Sequence, residues 1–173
     1  MLNKIITFAR SPWFWLGLLI MALASESVAL YYQYGLDLGP CVECIRIRIW
    51  LTGMAIVAGA GLWLHRFPLA NALLYAMNTG LAYGMLHTSH VLLGTERGTL
   101  FGSCGMSLGL PSWFALDQWF PTVFAVWESC GKTPELLFGI TMAEGLTVLS
   151  WALLLLSGAL LLIQLTGIVK KAG

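Results

Sequence analysis

The sequence predicts an all-α membrane protein, a four-transmembrane-helix bundle with one long exported loop that carries short interfacial helices. Three observations predict it. Hydrophobic residues make up 58% of the chain and charged residues 10%, whereas soluble domains hold about 45–50% apolar residues. Four segments approach the ~20 apolar residues that a bilayer core of about 30 Å demands. Between the third and fourth lies the one long connection, rich in Gly, Pro, Ser and Thr. A formal net charge of +1 offers no broad basic face, so no nucleic-acid partner is expected.

The first span covers residues 13–32, behind a basic start with Lys4 and Arg10. That start, the apolar run and the "ALA" of residues 22–24 imitate a cleaved signal peptide, but the run continues to Tyr34, which reads as a span. Even with cleavage, three spans would leave all the cysteines on one face. Glu26 lies within this span, where a carboxyl is costly unless it faces the bundle interior or a wet cavity.

A short loop, 33–44, leads into the second span, 45–64. Gly53, Gly59 and Gly61 with Ala55, Ala58 and Ala60 give that span a small-residue face suited to close helix contact. The turn "HRFPL", with Pro68 near the next helix start, suits a tight hairpin into the third span, 69–93. That span ends in "LHTSHVL", with His87 and His90.

The long loop, 94–143, repeats bulky residues at Trp113, Leu116, Phe120, Val123, Phe124 and Trp127, close to a helical period. Pro111 sits at a helix-start position and Pro121 interrupts the run, so a pair of helices lying at headgroup level is expected. A loop packed on the bundle top is the competing reading. Met142 and Glu144 stand at the mouth of the fourth span, 146–169. The whole, 1–173, reads as a single integral membrane domain.

Basic residues near span ends stay in the cytoplasm. Lys4, Arg10, Arg66, Lys170 and Lys171 fall on one side, against Arg46, Arg48, Arg97 and Lys132 on the other. The longer loop also lies on this second side, so both termini are expected in the cytoplasm and Cys41, Cys44, Cys104 and Cys130 on the exported side, where disulfides are permitted. Zinc would need two close cysteine pairs, and only Cys41 and Cys44 form one, so no metal is expected.

The bland reading of the cysteines is two inert disulfides in a non-catalytic scaffold. The electrostatics favour chemistry. Cys44 falls where the second span begins, so helix-terminal amides favour a thiolate there, and Arg48 lies one turn on, on the same helix face. Arg46 points elsewhere around the helix and Glu43 partly offsets the field. A thiolate with a cation below it suits a lipid-soluble electron acceptor whose reduced form needs a counter-charge.

With four spans, "CVEC" followed by "IRIR", a second cysteine pair in the long loop and "LDQWFPTVF" before the last cysteine, the chain resembles the disulfide bond formation protein B (DsbB) family, bacterial inner-membrane thiol oxidases that pass electrons to quinone. The resemblance covers nearly the whole chain. It implies a protein dithiol:quinone oxidoreductase with its cysteines on the periplasmic side, drawing on ubiquinone or menaquinone from the membrane pool. The partner it implies is a periplasmic DsbA-like thioredoxin-fold oxidase.

The resemblance, and nothing in the spacing, pairs Cys104 with Cys130 and Cys41 with Cys44. It implies that Cys104 exchanges with the partner, Cys130 with Cys41, and that Cys44 lies nearest the quinone. Arg48 matches the family's quinone-binding arginine, and Met142 falls where the family places a methionine by the quinone. His90, in preference to His87, matches a histidine near it, and the family also carries an acid where Glu26 stands. Residues 98–109, "GTLFGSCGMSLG", depart from the family's pattern and leave the partner open. A vitamin K epoxide reductase-like protein also sets a Cys-x-x-Cys and a loop pair on four helices, but places the former late in the bundle, not at the second span.

Overall fold

The computed structural model describes residues 11–100, 107–131, 133–137 and 139–172. Cys104 lies outside them, as do Lys4, Arg10 and Lys132. The described chain is mostly helical and runs through α1 (Pro12–Gly35), α2 (Val42–Leu64) and α3 (Pro68–Glu96). Then come the single-turn helices α4 (Leu116–Trp119) and α5 (Pro121–Phe124), strands β1 (Glu135–Leu137) and β2 (Ile140–Thr141), and the long α6 (Met142–Ala172). A 3₁₀ turn at Ser112–Phe114 precedes α4.

Among the described residues, three helices are long and apolar enough to cross a membrane: Pro12–Gly35, Val42–Leu64 and Met142–Ile168. Together they fit a multi-pass membrane protein. The third long helix, α3, matches them in length but not in apolarity. Its polar residues explain the difference, because Asn71, Asn78, Thr88 and Ser89 are turned into the bundle and buried. Inside a bundle such side chains bind helix to helix: Trp15 Nε1 donates to Asn71 Oδ1 at 3.0 Å, Trp50 Nε1 to Thr88 Oγ1 at 3.0 Å, and the Ser89 and Ser150 hydroxyls meet at 3.3 Å.

α2 packs between α1 and α3, and α3 packs along α6. α1 and α6 are therefore at opposite ends of an arc, with space between them at one end of the bundle. Small residues set the spacing. A β-carbon at Gly61 would overlap the Trp15 indole, and one at Gly84 would sit 2.8 Å from the Trp50 ring.

Local chemistry explains the ends of the helices. α3 begins with Pro68 in its first turn, where the missing N–H costs nothing. α6 opens on a capping box: Glu144 N donates to Thr141 Oγ1 at 3.3 Å and Thr141 N donates to Glu144 Oε2 at 3.3 Å. After α1, Asp37 takes a left-handed conformation (φ 52°), which Asp tolerates, and Leu38 N turns back to the Tyr32 carbonyl at 3.1 Å.

The long loop differs from the expected helix pair. It forms three one-turn segments because Ala115 and Phe120 leave helical dihedrals, and Pro121 starts α5 where it was expected only to interrupt. The antiparallel β1–β2 hairpin, with Gly139 at φ 77° in its turn, carries no sequence signal, since strands of three and two residues show no alternation.

Candidate active site

The site starts at the N-terminus of α2, which lies earlier than expected. The helix begins at Val42 with Cys41 as its N-cap. Cys44 is thus already in the first turn, and its amide donates to the Cys41 sulfur at 3.4 Å. The helix terminus serves Cys41 directly. The two sulfurs lie 2.8 Å apart as hydrogen-bonded thiols.

Cys130 arrives from the long loop, and three thiols form one cluster. Its docking rests on backbone contacts: Trp127 N and Glu128 N both donate to the Pro40 carbonyl, at 3.0 and 3.4 Å. The adjacent Gly39 permits this approach, because a β-carbon there would meet Glu128 Cγ at 2.8 Å and Trp127 Cβ at 2.9 Å. Tyr34 stacks edge-on against Trp127 with ring centroids 5.7 Å apart and donates its hydroxyl to the Thr122 carbonyl. So held, the Cys130 thiol lies beside Cys41 and the Glu43 backbone.

Cys41 and Cys130 are both buried, and burial shapes their protonation. The bond with Cys130 draws the Cys41 pKa down, but the bond with Cys44 and loss of solvent outweigh it, and the thiol is pushed up to about 12. Cys130 is also raised, first by its bond with Cys41, then by burial. Both thiols hold their protons while no disulfide partner is presented.

Below Cys44, Arg48 is 4% exposed, and its Nη1 donates to Gln33 Oε1 at 2.7 Å and to the Val123 carbonyl at 2.8 Å. It therefore ties α1, α2 and the long loop together. Gln33 Nε2 is buried with no partner among the described residues. Arg46 diverges around the helix to Glu43 Oε1 at 2.8 Å and the Leu108 carbonyl at 3.1 Å.

Cys44 and Arg48 face a cleft of about 440 Å³ in the space between α1 and α6. Its walls are almost wholly apolar, with Met21, Val28, Leu51, Leu136, Met142 and Leu146 among them. That volume and lining suit a ring-sized apolar ligand with few polar atoms.

The family model for disulfide bond formation protein DsbB matches residues 11–160. This chain belongs to the DsbB family. Disulfide bond formation protein B of Shewanella amazonensis is 34% identical over 152 residues, 85% of this chain and 88% of that one. The protein of the same name from Shewanella loihica is 30% identical over 148 residues, 85% and 86% of the two chains. That from Shewanella denitrificans is 28% identical over 174 residues, covering 98% and 96%. As a DsbB family member it is a membrane protein of disulfide bond formation.

Of the residues that the DsbB resemblance singles out, the structure brings together Cys41, Cys44 and Cys130 as one cluster, and Cys44, Arg48 and Met142 around one cleft. His87 and His90 are exposed on α3, outside the cleft lining, and His90 meets the Trp151 ring edge-on with centroids 6.5 Å apart. Glu26 is half-buried and accepts from Thr52 Oγ1 at 3.3 Å. Glu144 bonds Arg97 at 2.9 Å besides capping α6. Sequence reasoning missed Gln33, whose signal was a lone amide in the last turns of an apolar helix, and the Glu43–Arg46 pair.

Proposed function

We propose that this chain is a protein dithiol:quinone oxidoreductase that reoxidises a DsbA-like periplasmic dithiol oxidase and delivers the electrons to a membrane quinone. The observation that carries this reading is the unbroken file from Cys130 to Cys41 to Cys44 to the apolar cleft with Arg48 at its wall. α3 counts as the fourth span, its polar residues being internal. Both termini then lie in the cytoplasm, and the cysteines with loops 33–44 and 94–143 lie on the periplasmic side of the inner membrane, in one integral domain. The exposed Trp113, Trp119 and Phe120 rest at headgroup level.

The electron count closes. The partner's dithiol attacks the Cys104–Cys130 disulfide, leaving as a disulfide while both loop cysteines gain protons. The Cys130 thiolate then attacks Cys41 of the Cys41–Cys44 disulfide, expelling Cys44 as thiolate. Attack of Cys104 on Cys130 restores the loop disulfide and leaves Cys41 and Cys44 reduced. A bound quinone supplies the two-electron sink, taking two electrons and two protons.

The cleft residues fit such a group. Arg48, held by Gln33 and Val123, presents fixed positive charge beside Cys44. Met142 and the aliphatic wall exclude water, Tyr32 and Ser25 add polar edges to the cleft, and Glu26 sits on α1 beside it. The raised pKa of Cys41 and Cys130 lowers their thiolate fraction until exchange draws a proton away.

The test is single-turnover mixing of the quinone-loaded protein with a reduced DsbA-type dithiol oxidase, following quinone absorbance and partner thiols together. Partner oxidation with one quinol formed per disulfide is expected. Intact partner thiols with no quinol would leave both cysteine pairs as structural staples.

A further inference from the structure

Glu43 sits between the two cysteines of the Cys-x-x-Cys, and its side chain is 3% exposed. Its carboxylate takes the Arg46 guanidinium at 2.8 Å, while its backbone lies beside the Cys130 thiol. The same Arg46 reaches with Nη2 to the carbonyl of Leu108 at 3.1 Å, and Leu108 is itself 2% exposed. One residue of α2 thus receives Cys130 through its backbone and, through its side chain and Arg46, holds a second point of the long loop.

An ion pair with one partner buried and the other, Arg46, 38% exposed is poor evidence of stabilisation, because desolvation and solvent screening offset most of its attraction. Its worth here is geometric. A planar fork can bond a carboxylate and a carbonyl at once in fixed directions, which an ammonium does less well.

We propose that Arg46 is a positioning residue of the thiol exchange: by joining Glu43 to the Leu108 carbonyl it clamps the long loop to the turn that receives Cys130, raising the effective concentration of the Cys130 sulfur at Cys41. This rests on the relay reading. Arg46 touches neither the reacting sulfurs nor the cleft, so its loss alters the frequency with which the loop presents Cys130, not the chemistry at Cys44.

The experiment uses the full-length chain carrying Cys44→Ser and Cys104→Ser, equilibrated with reduced and oxidised glutathione. Oxidised glutathione and the two thiols give the Cys41–Cys130 disulfide and two reduced glutathiones, and the ratio at equilibrium gives the effective concentration. Adding Arg46→Gln is expected to lower it on the order of tenfold, and Arg46→Lys, which keeps the charge but not the fork, to lower it less. Hydrogen exchange at the amides of residues 107–110 is measured on the same proteins and is expected to quicken with Arg46→Gln.

An unchanged effective concentration and unchanged exchange would overturn the clamp. Should Cys41–Cys130 fail to form even with Arg46 intact, the relay reading is lost. The clamp would then be overturned too if exchange at 107–110 were unaltered, and upheld as a loop anchor if it quickened. If Arg46→Gln fails to fold, Arg46→Lys alone decides, a full parental value overturning the proposal.

Discussion

Arg48 and Gln33 are joined by a hydrogen bond of 2.7 Å between side chains that are 4% and 1% exposed. A bond to a charged group at such a site contributes about 1.5–3 kcal/mol. Gln33→Leu, which keeps the volume and removes the acceptor, is expected to lower stability by about that amount. It should also weaken quinone binding, since among the described residues Arg48 would keep only the Val123 carbonyl as a hydrogen-bond partner. The denaturation midpoint and a quinone titration of the purified protein check both, and an unchanged titration would separate Arg48 orientation from the cleft.

The seat of Cys130 depends on Gly39. In Gly39→Ala the new methyl meets Trp127 Cβ, close to the backbone, and Glu128 Cγ, so the loop must withdraw rather than adjust a rotamer. The variant is expected to reduce quinone on the order of 10²-fold more slowly, the cost of a displacement of about 1 Å, with quinone binding unaltered. Stopped-flow mixing and a quinone titration measure the two separately. Slowing confined to quinone binding would count against the docking role.

Cys41 and Cys130 both hold protons more tightly in the fold than in the unfolded chain. Their contribution to stability is therefore complete below the ordinary thiol pKa near 8.5 and is lost as pH rises toward about 12. Fully reduced protein is expected to show a falling thermal midpoint from about pH 8.5 upward that the oxidised protein lacks. Iodoacetamide labelling of these two thiols, followed by mass spectrometry, should remain slow at pH 8 and rise with pH through 10. Rapid labelling at pH 7 would contradict the burial of the cluster.

Thr141 caps α6 and also donates to Glu96 Oε2 at 3.1 Å, binding the end of α3 to the start of α6. Thr141→Ala is expected to cost about 0.5–2 kcal/mol, and Thr141→Ser to recover most of it. Equilibrium unfolding in mixed micelles provides the measurement. Met142 adjoins the cap and lines the cleft, so the alanine variant should also loosen quinone binding.

Much of this was legible in the residues themselves. The apolar runs mark four long helices, and the four-residue spacing of Cys44 and Arg48 puts both on one face, as does the divergence of Arg46. The start of α2 was not legible, because a charged Glu43 reads as loop until its partner Arg46 and its buried position are known. The docking of Pro40 with Trp127 and Glu128 uses backbone groups from distant segments and leaves no mark on side-chain pattern. His87 and His90 have suitable chemistry at a suitable helix end, and they lie exposed and outside the cleft lining.

The gap between α1 and α6 has one further consequence. On the membrane reading proposed above, a chamber walled by the first and last long helices, which pack on others but not closely on each other, is expected to be entered sideways from hydrocarbon instead of from water. Its ligand is then counted per lipid rather than per litre, and an apparent Kd read in detergent will rise in proportion to the micelles that dilute the ligand. Binding constants for this site become comparable only when expressed as mole fractions of the surrounding amphiphile.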